Sequence, residues 1–460
     1  MVKAKALRWS DNNEHAPSGA AYYVWEKNTA SAESMVFYHK SGAELRKVSF
    51  DINGDAVYVD KRYDEHGNVV QESLPYYKGD ARLFVSNVYD KYNRLVEKLM
   101  PDGMLCSYIY DGNTLNTECI SVDGKRQSKK EVYNMMGWII SARDAGGNEM
   151  LYDYYCDGLM KSVAMAGNPN YTISLTYDNA RNKKSLCDSN YGLVTYQYDA
   201  LGKIKNVTNP KGATIDFQYD MLGRMRSRTE QDYDMKNALT TCWLYDDGEG
   251  KNGMLKSVVS DNHKIDYTYD DELRLLSTVE TIDGDEYITT YRYDQASRVS
   301  GIEYPTGLVI TKVYSNSGYE KEVYDADDDV LLWKSKATMA DGSITEYEYG
   351  NGLMTKISYN QNTSMVENIM TYDNDRIIQN LAYSYDGLGN MKNRSKFMGE
   401  RFCEEFEYDD YNRLVSISLD GVKSLEMDYD SYGNVIAKED NGVNVFLAKN
   451  VAHFCEQDFC

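Results

Sequence analysis

Three groups of residues have types and spacings that could do chemistry. Asp199 and Asp220 each follow a tyrosine, and a pair of carboxylates is what acid and base catalysis of glycoside hydrolysis requires. Tyr324 to Asp329 reads Tyr-Asp-Ala-Asp-Asp-Asp, with carboxylates at alternate positions as in a calcium loop. His453, Cys455 and Cys460 crowd the C-terminus and offer three zinc-type ligands.

Each group fails on its own spacing. A catalytic pair is singular, whereas the Tyr-Asp dipeptide recurs along the chain at the same local position. In the acidic stretch, Val330 stands where a calcium loop needs glycine, and Lys336 stands where it needs a bidentate carboxylate. The three C-terminal ligands lack the paired spacing of a structural zinc site. The remaining histidines (15, 39, 66 and 263) are dispersed, and no nucleophile or phosphate-binding glycine motif is present. The expectation is therefore a non-enzymatic chain with no catalytic residue, metal or cofactor.

The elements that carry these aspartates form a repeat array. Close copies of the unit are Tyr63-Asp64 with Gly67, Tyr89-Asp90, Tyr198-Asp199 with Gly202, and Tyr219-Asp220 with Gly223. Tyr385-Asp386 with Gly389, Tyr408-Asp409, and Tyr429-Asp430 with Gly433 complete them. Looser copies start at Tyr110, Tyr133, Tyr155, Tyr177, Tyr245, Tyr269, Tyr293, Tyr314, Tyr349 and Tyr372. Most starts are roughly 21 to 26 residues apart, a period short enough for one hairpin. The glycine or asparagine four residues after each tyrosine tolerates a left-handed backbone, and the aspartate can bond its own following amides. That makes one hairpin end.

The other end reads Pro101-Asp102-Gly103, Pro210-Lys211-Gly212 and Pro305-Thr306-Gly307, with Asp341-Gly342 as a variant. Strands of about six or seven residues fit between the two kinds of turn. Aromatic pairs two apart, such as Tyr196/Tyr198 and Phe217/Tyr219, share a face, while Gln197 and Gln218 point the other way. The fold class expected is all-β: antiparallel hairpins paired side by side in a curling strip. About 17 units would give a strip ~160 Å long, which closed on itself would make a ring only ~50 Å across. Residues 1–45 are expected to be an irregular leading segment, 46–440 the repeat strip, and 441–460 a tail. Leu74 to Asp80 reads as a turn-rich loop.

Composition narrows the function classes. The 42 tyrosines against 10 phenylalanines and 6 prolines suit half-exposed strands. A net charge of −22 argues against nucleic acid and anionic membranes as partners. Residues 1–10 lack the apolar core of a signal peptide, and no run reaches the ~18 apolar residues of a membrane helix, so the compartment is not fixed. The eight cysteines are scattered without metal spacing, and most are expected to be reduced thiols.

The Tyr-Asp-x-x-Gly-Arg-Leu theme and the intervening Pro-x-Gly turns resemble the YD repeats of the Rhs family. That family includes bacterial Rhs toxins, the insecticidal toxin-complex B and C components, and the shell of animal teneurins. The resemblance spans about residues 46 to 440 and implies a spiralling β-cocoon around a toxin or other cargo polypeptide. It implies no activity for the wall itself. An Asp-Pro-x-Gly core motif, which follows the repeats in such relatives, is absent after Tyr429, so the chain is expected to be a middle portion of a longer protein or a truncated gene product. The alternative function is an extracellular adhesive module that binds glycans or proteins through its tyrosine-lined faces.

Overall fold

The computed structural model describes residues 3–445, apart from 12, 29, 235, 247–252, 400 and 431–432. His453, Cys455 and Cys460 lie outside the described residues, as does most of 441–460. Every regular element described is a β-strand, from Lys3–Trp9 to Val443–Val445. Apart from Tyr76–Tyr77, which lies beside Ala56–Tyr63, successive strands pair antiparallel, so the chain zigzags across one continuous sheet.

Two rows of turns border this strip. One holds the Tyr-Asp corners and the other the Pro-x-Gly turns. A register shift falls immediately before the corner tyrosine in successive units, as at Gln197/Tyr198, Gln218/Tyr219, Arg292/Tyr293 and Asp428/Tyr429. Such a bulge adds twist to the strand pair, and repeating it along one border makes the strip coil. First and last strands do not pair. Residues 261 to 283 positions apart meet instead, border to border, so that a second coil lies on the first.

Three expectations are corrected here. Residues 3–45 carry the strands Lys3–Trp9, Ala20–Asn28 and Ser34–His39, and Glu44–Phe50 follows. With the strand Ala56–Tyr63 they hold the buried cluster of Tyr23, Met35, Phe37, Val48, Tyr58 and Tyr76. The long apolar side chains of this segment alternate without any corner motif, which is why it read as irregular. Within Leu74 to Asp80, Tyr76–Tyr77 is a short strand on Val57 and Tyr58. It continues the edge that Val69–Ser73 forms on Lys61 to Tyr63, interrupted where Pro75 can give no backbone donor. Finally, Asp341-Gly342 lies on the Tyr-Asp border, while the turns after Tyr349 and Tyr372 lie on the other. The hairpin from Glu320–Asp325 to Val330–Thr338 turns through Ala326 to Asp329, without proline or glycine, and inverts the alternation inferred from sequence.

A buried polar group closes the interrupted edge. Arg46 grips Asp60 with Nε to Oδ1 at 2.5 Å and Nη2 to Oδ2 at 2.8 Å. Tyr76 donates to Asp60 Oδ2 at 2.7 Å, and the Asp60 amide donates to Ser73 Oγ at 2.8 Å. Burial raises the Tyr76 phenol to about 12, helped by its bond to Asp60. The group is fully paired, as a buried ion pair must be to avoid a desolvation penalty.

Candidate functional site

The unit of architecture is the corner. At Asp199, the backbone amide donates to Lys203 O at 2.8 Å and the Gly202 amide donates back to Asp199 O at 3.1 Å. Gly202 has φ +78, the left-handed residue that ends a three-residue hairpin loop. Asp199 Oδ1 accepts the amides of Leu201 at 2.8 Å and Lys203 at 2.9 Å. The carboxylate thus caps two donors that the tight loop would otherwise leave unpaired.

The same cage recurs at the other aspartates of the repeat. Asp64, Asp90, Asp220, Asp386, Asp409 and Asp430 accept the amide four residues on at 2.8 to 3.0 Å. Gly67, Gly223, Gly389 and Gly433 hold the left-handed position. Tyr63, Tyr89, Tyr198, Tyr219, Tyr385, Tyr408 and Tyr429 each end the strand that enters the corner. Several of their hydroxyls reach back across the sheet to a carbonyl of the preceding unit. Tyr198 reaches Lys183 O at 2.8 Å, Tyr219 reaches Ile204 O at 3.0 Å, and Tyr429 reaches Leu414 O at 2.7 Å.

The residue after the left-handed position joins one corner to the next, a role that sequence reasoning missed. Arg224 Nε donates to Asp220 Oδ2 at 2.7 Å while its guanidinium lies 4.1 Å from the Tyr245 ring centre. Arg274 and Tyr293, Arg298 and Tyr314, and Arg413 and Tyr429 repeat the arrangement at 4.2 to 4.6 Å. The signal was visible as the arginine of the Gly-Arg-Leu theme. Each such cation–π contact contributes roughly 0.5 to 2 kcal/mol.

The second feature is the seam where coils meet. Lys125 Nζ lies 2.6 Å from Asp386 Oδ2, and the Gly387 amide donates to Asp123 Oδ2 at 2.9 Å. Asn148 Nδ2 donates to Tyr411 Oη at 2.9 Å, Asn53 Nδ2 to Lys336 O at 3.1 Å, and Tyr77 Oη to Thr338 O at 3.0 Å. Arg298 Nη1 donates to Ala30 O at 3.3 Å. Contact is close: a Cβ on Gly318 would stand 2.3 Å from Ala30 O. In every case the turn border without Tyr-Asp corners, from the first coil, sits on the Tyr-Asp border of the second. Nothing in the sequence signals partners so far apart.

Among the described residues, no group of three His, Cys, Asp or Glu side chains is arranged to hold a metal. Asp199 and Asp220 line one open groove together with Lys203, Phe217 and Tyr219, but each carboxylate is taken up by the amides of its own corner. Asp327 to Asp329 form an exposed turn on the opposite border. Cysteine pairing departs from the expectation of mostly reduced thiols. Cys106 and Cys119 face each other across a hairpin, Cα to Cα 4.0 Å, as a disulfide, while Cys156, Cys242 and Cys403 are free. The two-residue turn Gly112-Asn113 sets that register, and centring the hairpin there would have paired them.

A coiled strip of Tyr-Asp hairpins defines a repeat-built β-shell wall. The RHS Repeat model matches residues 192–233, which contain the Asp199 and Asp220 corners. No curated protein matches the sequence. Among solved structures, the crystal structure of TcdB2-TccC3 is similar over 96% of this chain and 28% of that one, with 15% identity and a TM-score of 0.80. The Photorhabdus luminescens Tc holotoxin pore matches over 93% of this chain and 27% of its own, at 15% identity and a TM-score of 0.78. The chain therefore spans about a quarter of the chains it resembles. Residues 192–233 thus carry an RHS repeat, and the chain shares the fold of those structures.

Proposed function

We propose that this chain is a structural segment of an Rhs-type shell that, in its complete protein, encloses a C-terminal polypeptide, with no enzymatic activity in the wall itself. The observation that carries this reading is the seam. Neighbouring coils meet through turn side chains and amides, so the strip builds a continuous two-dimensional wall instead of an open ribbon. Support also comes from TcdB2-TccC3, which is described both with and without a hypervariable C-terminal region. The corner aspartates recur as loop caps, which suits architecture and leaves no singular acid and base pair. An adhesive role draws less support, because the tyrosine faces on which sugars would stack carry arginines at several corners.

The test is protease protection. The chain is produced with the polypeptide that follows it in its parent protein, and digestion of that polypeptide is followed with the wall intact and with the seam opened by Lys125→Ala and Asp386→Asn. Protection that is lost on opening the seam is the expected outcome. Digestion at the rate of the isolated polypeptide in both cases would refute enclosure.

A further inference from the structure

Arg94, Arg224, Arg274, Arg298 and Arg413 each stand four residues after a corner aspartate, and each lies in the same kind of slot. Their Nε atoms donate to Oδ2 of that aspartate at 2.6 to 2.8 Å. Each guanidinium lies 4.1 to 4.6 Å from the ring centre of the next unit's tyrosine. The far end reaches the next corner: Arg224 Nη1 donates to Gly253 O at 2.9 Å, and Arg413 Nη1 to Asp430 O at 3.2 Å. A carboxylate behind, a tyrosine beneath and a carbonyl ahead match the planar, forked guanidinium.

Where the sequence departs from arginine, other side chains fill the slot. Asn68 and Asn390 span it by donating to Oδ1 of Asn93 and Asn412 in the next corner, at 3.0 and 2.9 Å. Trp138 lays its ring 5.3 Å from that of Tyr154, and Lys203 reaches Gly223 O with its ammonium 4.9 Å from the Tyr219 ring. Asn182 is too short to do the same. Its Nδ2 turns back to Asp178 Oδ2 at 3.1 Å, and the next corner presents Gly202, which has no side chain to meet it. The result is an open groove of about 750 Å³ lined by Asp178, Tyr198 and Gly202. One unit on, where Lys203 lies in the slot, the groove shrinks to about 320 Å³.

We propose that the groove between Asp178 and Tyr198 binds a guanidinium group, that of an arginine which the wall itself does not supply at this corner. The arginine corners show the bound geometry. Asp178 Oδ2 accepts the fork, Tyr198 stacks beneath it, and Gly202 O stands where Gly223 and Gly253 accept a cation in other units. Tyr198 is already fixed by its hydroxyl on Lys183 O at 2.8 Å, so little ordering is lost on binding. Lys184 borders the groove, a placement compatible with a bound cation because Arg226 follows Arg224 by the same two residues. The slot opens on the face of the sheet. Arg298 and Arg413, at corners that touch the first coil, keep 25% and 27% of their side-chain surface exposed, and Arg224, whose corner tip Leu222 is exposed, keeps 22%. Access therefore does not depend on whether another coil covers the border. The proposal rests on corner geometry and not on any cargo, so its failure leaves enclosure standing.

The experiment titrates the full chain with N-acetyl-arginine amide and with a Gly-Arg-Gly peptide, and with the lysine counterpart of each, read by saturation-transfer NMR of the ligand. Arginine ligands are expected to bind in preference to lysine ones, because an ammonium can neither stack flat nor present a fork. Asn182→Arg supplies the guanidinium from within and should abolish binding. Asp178→Asn should weaken it about tenfold or more, while still capping its loop as Asn134 does. Circular dichroism checks that both variants keep the sheet. Equal binding of both arginine ligands supports a site for the guanidinium alone, and tighter binding of the peptide supports a site for a polypeptide arginine. The proposal is overturned if neither arginine ligand binds at millimolar concentration, if lysine ligands bind as well, or if Asn182→Arg binds like the parent.

Discussion

Asp386 serves a corner and the seam at once, and two substitutions separate these duties. Its Oδ1 accepts the Leu388 and Asn390 amides at 2.9 Å, its Oδ2 accepts Asn390 Nδ2 at 3.0 Å, and Lys125 Nζ lies 2.6 Å from that same oxygen. The Asp386 side chain is 5% exposed and Lys125 45%, so the pair is half screened and contributes about 1 to 2 kcal/mol. Asp386→Asn keeps the amide acceptor and removes only the charge, as Asn134 shows by capping its own corner. Asp386→Ala also leaves two loop amides without an acceptor, which costs about another 1 to 2 kcal/mol by analogy with loss of a helix cap. Hydrogen exchange of the Gly387 amide, which donates across the seam to Asp123, reads local opening directly. Exchange should quicken roughly tenfold for Asn and roughly a hundredfold for Ala. In a Lys125→Met background, Asp386→Asn should add little further. Equal acceleration by Asn and Ala would refute the corner cage, and no acceleration at Gly387 would refute the seam.

Four further outcomes are expected. Desolvation alone would push Asp220, Asp294, Asp386 and Asp409 up, but amide bonds and their Arg or Lys partners prevail and hold all four below the usual carboxylate range. A depressed carboxylate contributes stability that is complete above its unfolded value and lost as pH falls through the folded one. Urea midpoints should therefore be flat near neutrality and drop below about pH 4, and an unchanged midpoint at that acidity would count against the corners. Leu273 holds a left-handed φ of 64 at a position that is glycine in other corners, so Leu273→Gly should raise stability by about 0.5 to 1 kcal/mol in denaturant titration. Tyr219→Phe removes the bond to Ile204 O and should cost about 1 kcal/mol by the same titration. Reducing Cys106–Cys119, 13 residues apart, should destabilise their hairpin by about 3 kcal/mol, seen as faster exchange from residues 105–120 under a thiol reductant.

Corner chemistry was legible because it is local. Asp199 binds amides two and four residues on, and Gly202 supplies the backbone that the loop demands, so seven residues contain the whole cause. Border assignment was less legible, because it depends on counting every strand. The turn at Ala326 to Asp329 carries no proline or glycine, and missing it put Asp341-Gly342 on the wrong border. The leading segment was hidden for the opposite reason: Phe37 and Val48 are fully buried by alternation alone, without any turn motif to announce a unit. The seam had no local trace at all, since Lys125 meets Asp386 only after the bulges of the intervening units have summed to one coil.

That summation explains why the wall can be assembled from so little buried core. Each unit adds a corner cage, a tyrosine hydroxyl on the preceding unit and, in many units, a cation over the next ring, so stability accrues between nearest neighbours as in other repeat proteins. Such a strip fixes its own curvature but has no reason to choose a pitch. The seam supplies one. Gly318 is small where Ala30 O approaches, and Asp123 and Lys125 find an amide and a carboxylate on the facing corner. A pitch even slightly different would leave Asp386 buried without its cation, which is costly. Corners thus set how tightly the strip bends, and the few seam residues set where the next coil must lie.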